Sequence, residues 1–235
     1  MKYLLMVVSV FMLFPAYAIE CEWWQSKVKS HQVKKYERKG FPVSAHPRLE
    51  HCREIWKHAD EIISAFKDSA PSNWTKEEKF KAWSQKEIRE ILKAYGRLPE
   101  WLVNLHESFH RAEMSSKSIK NPAASDKTTD SVTIYDEFYK RSNKEAIVGH
   151  EMAHLLFKRL SSEDITSFTD LAGWTVKVDG NQVFEVPPSK FLIQDSVIDK
   201  EEDFANLIEI FFSEPSKLKN HNPKLFDFFQ KRFSK

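Results

Sequence analysis

Glycine is scarce, with 5 residues in 235. That scarcity argues against Gly-rich nucleotide-binding folds and collagen-like repeats. Cysteine is scarcer, with Cys21 and Cys52 alone. Their spacing is far wider than the pairs that zinc sites use. An excess of one charge is missing too, because Lys+Arg 36 stands against Asp+Glu 34. A nucleic-acid binder of this size would carry a larger basic surplus. No segment reaches the length of a transmembrane helix. What is present is a globular composition, 41% apolar and 30% charged, with 18 Phe and 7 Trp. It excludes whole-chain disorder and favours helices with aromatic packing. A chain this long builds a sizeable core, so neither metal nor disulfide is needed merely to hold it together.

The first eighteen residues read as a secretory signal peptide. Lys2 supplies a positive start, Leu4 to Phe14 is unbroken and apolar, and Ala16-Tyr17-Ala18 offers an Ala-x-Ala cleavage site. Cys21 does not directly follow a small residue, so no lipid anchor is expected. The expectation is an exported protein, periplasmic or secreted, starting near Ile19 and lacking an integral membrane segment after cleavage. In an oxidising compartment a Cys21–Cys52 disulfide is expected.

Residues 19–50, punctuated by Gly40, Pro42 and Pro47, read as a basic irregular loop. Helical spacing of apolar residues predicts a helix over 50–69. A second is predicted to end at Tyr95, with Thr75-Lys-Glu-Glu as its start box, and a third to run from Pro99 to Ala112. Residues 114–130 read as a loop, and Ser131 to Phe138 alternates like a strand. Asn143 to Leu160 is predicted as an apolar helix, followed by a short one up to Leu171. A hairpin over 174–186 turns at Asp179-Gly180, and helices are predicted over 199–213 and 222–233. The reading is an α+β fold in three parts: residues 1–18 as signal peptide, 19–115 as an N-terminal helical region, and 116–235 as the catalytic domain.

His150-Glu151-Met152-Ala153-His154 is an H-E-x-x-H motif inside the most apolar predicted helix. Its i, i+4 spacing puts both imidazoles on one helical face, where they can bind one Zn²⁺. Glu151 projects beside them and can take a proton from water. The motif occurs a second time, as His106-Glu-Ser-Phe-His110. There Arg111 sets a charge where an apolar wall is needed, and Leu102, Leu105 and Phe109 already define a core face. The 106/110 pair is therefore read as ordinary flank histidines.

A catalytic zinc needs a third protein ligand and an open position. No third His follows closely after His154. Glu201-Glu202-Asp203-Phe204-Ala205 opens a later helix, where acidic residues also serve as caps. Glu202 shares a face with the small Ala205, so Glu202 is expected to face the metal while Glu201 and Asp203 point elsewhere. Trp174, Phe184 and Phe191 are candidates for a substrate subsite, with core packing as the alternative.

His150-Glu-Met-Ala-His154, a long spacer, Glu202-Asp-Phe-Ala205 and the tail from Lys217 to Phe228 resemble the gluzincin metallopeptidases. Within them they are most similar to the anthrax lethal factor catalytic-domain family, over about residues 130–235. The resemblance implies a zincin-like fold, mostly helical with a small sheet whose edge strand flanks the HExxH helix. It implies His150, His154 and Glu202 as ligands of one Zn²⁺, Glu151 as general base, and a peptide or protein substrate. It also implies that Ser131–Phe138 is the edge strand on which an extended peptide docks. The chain departs from the family in two places. Asn206 stands where an acid is usual, with Glu209 one turn on as a substitute. No Tyr precedes the ligand Glu closely, which leaves Tyr135, Tyr139 and His221 as oxyanion candidates. The competing readings are a zinc amidase acting on cell-wall peptide and a catalytically silent zinc-binding protein.

Overall fold

The computed structural model describes residues 21–28, 31–33, 36–38, 41–43, 46–48, 51–71, 78–113, 121–179, 182–188 and 191–233. The signal-peptide segment, the Thr75 start box and the residues at the tip of the 174–186 hairpin lie outside them. The chain forms two compact units, divided between Ile55 and Trp56.

Among its described residues the first unit holds six short strands: β1 Gln25–Val28, β2 His31–Val33, β3 Tyr36–Arg38, β4 Phe41–Val43, β5 His46–Arg48 and β6 His51–Glu54. They pair antiparallel as β1–β6, β2–β5 and β3–β4, all in one register. The described residues of the expected loop over 19–50 thus pair as a ladder. Its charged residues hide the alternation of a strand, and its prolines read as loop punctuation although short strands outside a sheet interior tolerate them. Cys21 and Cys52 form a disulfide near the base of the ladder.

The second unit is α+β. After α1 Ala59–Ile62 come β7 Phe66–Lys67, α2 Gln85–Tyr95, β8 Ser108–Arg111, β9 Ala123–Asp126, β10 Ser131–Ile134, α3 Lys144–Lys158 and α4 Ser162–Ala172. Then follow β11 Thr175–Asp179, β12 Gln182–Val186, α5 Lys200–Ser213, α6 Pro215–His221 and α7 Pro223–Phe233. One four-stranded sheet has the order β7-β8-β10-β9, with β8 parallel to both its neighbours and β9 antiparallel to β10. The boundary expected at 115/116 falls inside this sheet, since β8 pairs directly with β10.

Three helix expectations are corrected. Residues 50–69 give β6, the short α1 and β7 instead, because His58 takes φ +65°, a left-handed value that interrupts any helix. The second helix starts at Gln85. Ser84 Oγ accepts from Glu87 N at 3.2 Å and Glu87 Oε2 accepts from Ser84 N at 3.0 Å, a reciprocal cap that sets the true N-terminus. Residues 99–112 hold only a 3₁₀ turn, Glu100–Leu102, before Asn104 turns left-handed at φ +59° and the chain enters β8. The strand over 131–138 is shorter than expected, since Asp136–Lys140 is a 3₁₀ turn.

The helices α3, α4, α5 and α7 share an aromatic core. Phe157, Phe168, Phe204 and Phe229 meet with ring centroids 5.1–6.3 Å apart. Helices α3 and α5 pack against each other. At Gly149 a Cβ would lie only 2.4 Å from the Phe212 ring, so glycine is what permits this approach. Ala205 on α5 is fully buried. The pair is rigid enough to hold side chains of both helices against each other.

Candidate metal centre

The apolar flanks of the HExxH motif explain its placement. Val148, Met152, Ala153 and Leu155 of α3 are fully buried, which fixes the helix and turns His150 and His154 toward α5. Helix α5 is capped by Asp199, whose Oδ1 accepts from Glu201 N and Glu202 N at 2.9 and 2.8 Å. This cap sets the register that carries the acidic triplet.

His150, His154 and Glu202 come together. Their ligand atoms lie within 4.8 Å of one another, so the group can hold a metal ion. The two Nε2 atoms are 3.2 Å apart. Glu202 Oε2 is 3.5 Å from His150 Nε2, and its Oε1 is 3.6 Å from His154 Nε2. Glu151 lines the same cleft and is buried. The cleft has a volume of about 620 Å³. Its floor is α3, one wall is β9, and the other is α5 with the turn before it.

With the three side chains facing one another, their charges are strongly coupled. Burial works against a charge on His154, yet hydrogen bonds to Glu201 and Glu202 outweigh it and raise the imidazole to about 10. His150 and then His154 hold Glu202 well below the usual carboxylate range.

Glu201 does not point elsewhere, which corrects the sequence expectation. Its Oε1 lies 2.9 Å from His154 Nδ1, and its Oε2 is 2.5 Å from Lys127 Nζ. A signal for it was available: a ligating His needs an acceptor on its other ring nitrogen, usually a carboxylate. Asp203 does face away, accepting from the Trp174 indole at 2.9 Å. Asn206 lines the cleft but donates to Ser196 Oγ at 3.1 Å, bracing the turn Gln194–Val197. Glu209 takes the place near His150, with Oε2 3.7 Å from Nδ1.

The edge-strand assignment is also corrected. Ser131–Ile134 is interior to the sheet, and β9, expected as loop, is the edge and lines the cleft. Its Ala123-Ala124-Ser125 sequence carries no β-branched or aromatic signal, so propensity could not reveal it. None of the three oxyanion candidates lines the cleft. Tyr135 is buried and donates to both Glu78 oxygens at 3.1 Å. Tyr139 borders a separate cavity beside Arg111, and His221 a crevice beside Phe191. Polar side chains that do line the cleft, and that the sequence did not single out, are Asn121, Ser125, Lys127, Asp195 and Asp199. Trp174, which is buried, and Phe191, which is half-buried, pack together at 6.2 Å outside the cleft lining. The Phe184 side chain lies outside the described residues.

The second H-E-x-x-H copy is not helical. His106 lies in the loop before β8, with its ring 4.3 Å from Phe109 and 5.3 Å from Tyr95. His110 lies in β8, with Nδ1 2.5 Å from Ser69 O and Nε2 2.8 Å from Ser108 Oγ. Arg111 is a buried node that donates to Glu87 at 2.9 Å and pairs with Asp136. Both histidines are engaged elsewhere, and among the described residues only the His150, His154, Glu202 group forms such a cluster. Comparison with known proteins returns no match: no family model, no curated protein and no solved structure aligns with the chain significantly.

Proposed function

We propose that this chain is an exported zinc metallopeptidase of the gluzincin type, with a zincin-like arrangement of helix and edge strand. The observation that carries the reading is the mutual spacing of His150, His154 and Glu202. Three ligands about 2.0–2.1 Å from a tetrahedral zinc lie roughly 3.3 Å apart. The two Nε2 atoms stand 3.2 Å apart, and the two Glu202 oxygens lie 3.5 Å from His150 Nε2 and 3.6 Å from His154 Nε2, one oxygen to each imidazole, close to that spacing. Two imidazoles and one carboxylate, opening on a cleft, are also the donor chemistry of a catalytic site rather than a closed structural one.

When bound, zinc supplies a Lewis acid that polarises a carbonyl and acidifies water. The chain's own residues do the rest. Glu151 is buried at the cleft floor, one residue from His150, where its carboxylate can accept a proton from water and return it to the leaving nitrogen. Strand β9 pairs only with β10 among the described residues. Its other edge offers backbone N–H and C=O groups to an extended peptide, which supports a peptide or protein substrate.

The test uses the purified mature protein: metal content by mass spectrometry, then cleavage of a peptide library. Glu151→Gln should keep one zinc and lose nearly all hydrolysis, since an amide cannot accept the proton. Zinc-loaded parent protein that cleaves no peptide in the library would defeat the peptidase reading.

A further inference from the structure

We propose that Glu201, held by Lys127, is a positioning residue for the metal ligand His154. The inference rests on the metal site of the preceding section. His154 reaches the ligand cluster through Nε2, so its Nδ1 must find another partner. Glu201 provides it, and the two carboxylate oxygens divide the work: Oε1 takes Nδ1 at 2.9 Å, and Oε2 takes Lys127 Nζ at 2.5 Å. The salt bridge to Lys127 thereby fixes the carboxylate plane that faces the imidazole.

Lys127 is itself tied back. It directly follows β9, and its carbonyl accepts from Lys158 Nζ, 2.5 Å away, at the C-terminal end of α3. Lys158 also pairs with Asp130 at 2.7 Å. The contacts form a ring: α3 through His154, α5 through Glu201, the end of β9 through Lys127, and α3 again through Lys158. The floor and both walls of the cleft are joined by it. The strand offered to substrate and the ring orientation of one ligand are therefore mechanically linked.

The experiment is zinc affinity by chelator competition, on the full mature protein, for the parent, Glu201→Gln, Glu201→Ala, Lys127→Met, the double variant Glu201→Ala with Lys127→Met, and Glu202→Ala. Far-UV circular dichroism checks folding, and Glu201→Gln, which keeps shape, covers the case that Glu201→Ala fails to fold. Glu201→Ala should weaken zinc binding about 10- to 100-fold and Glu201→Gln by less, as loss of an outer-shell partner does. Lys127→Met should weaken it roughly 2- to 5-fold and should add nothing once Glu201 is gone. The visible spectrum of the cobalt-substituted protein should change in Glu201→Ala, a change that a merely structural role would not produce. Parent-like zinc affinity in both Glu201 variants, with Glu202→Ala losing zinc, overturns this inference and leaves the site reading standing. Zinc binding that survives Glu202→Ala overturns both. An equal loss from Lys127→Met with and without Glu201 would show that Lys127 does not act through it, and would overturn the linkage to β9.

Discussion

The indole N–H of Trp174 donates to Asp203 Oδ2 at 2.9 Å, and both side chains are buried. This bond anchors one side of α5. Asp203 is drawn to the core side, and the two glutamates before it turn to the cleft. Burial raises the Asp203 carboxyl although Trp174 and Ser196 bond to it. Trp174→Phe should remove a donor that this buried group needs. The expected loss is about 1–3 kcal/mol, read as a lower midpoint in urea unfolding. Zinc content should remain that of the parent, because Trp174 touches no ligand. An unchanged midpoint would contradict the anchoring role.

Glu202→Ala should abolish stoichiometric zinc, because two imidazoles alone hold the ion poorly. Glu151→Gln should not, because Glu151 lies outside the ligand cluster. Metal analysis of the two variants side by side separates ligand from base. Zinc retained in Glu202→Ala would overturn the three-ligand site.

The second motif copy has its own signature, in stability rather than catalysis. Burial first, then the charge of Arg159, lowers His106 from the usual 6.5 to about 4. A histidine depressed in the folded state favours folding above its unfolded value, and the contribution is lost as pH falls. The loss should accumulate between pH 6.5 and 4, to on the order of 3 kcal/mol. His106→Gln should flatten that acid limb in a series of urea melts at different pH. Glu107→Gln, on an exposed residue, should move stability by no more than about 0.5 kcal/mol and leave zinc unchanged. A dead Glu107→Gln enzyme beside an active Glu151→Gln enzyme would mean that the wrong copy has been chosen.

Cys21 and Cys52, 31 residues apart, are bonded within the first compact unit, while the metal cluster lies in the second. Replacing both with Ser should destabilise the 21–55 ladder by about 2–4 kcal/mol on the chain-entropy account. It should not alter zinc affinity. Limited proteolysis would report the first effect as faster cutting before residue 56, and chelator competition would report the second. Zinc loss in the double Ser variant would contradict the separation of the two roles.

The i, i+4 pair His150 and His154 was legible in the sequence because its helix states its own period and burial in Ile147, Val148, Leu155 and Leu156. Glu202 was legible because helical geometry offers one face at a time and Ala205 marked the close one. The α+β class, helices α3, α4, α5 and α7 and the hairpin of β11 and β12 followed from local patterns of the same kind, whereas α6, Pro215–His221, falls where the sequence was read as the divide between two helices. Tertiary structure decided the rest. Residues 106–110 satisfy the same five-letter motif, yet pairing of Ser108–Arg111 with β7 and β10 on either side makes the second half of the motif strand and leaves His106 in the loop before it. Strand β9 exists because β10 supplies its hydrogen bonds, not because Ala123-Ala124-Ser125 favours extended chain. Glu201 is chemically identical to its neighbour, and nothing local shows that its carboxylate meets Nδ1 of His154. That contact was made by α3 packing on α5 at Gly149 and by Lys127 arriving from the sheet. Contacts between segments distant in sequence fix such roles, because a side chain's direction follows from its own helix, while its partner depends on what the rest of the chain packs against it.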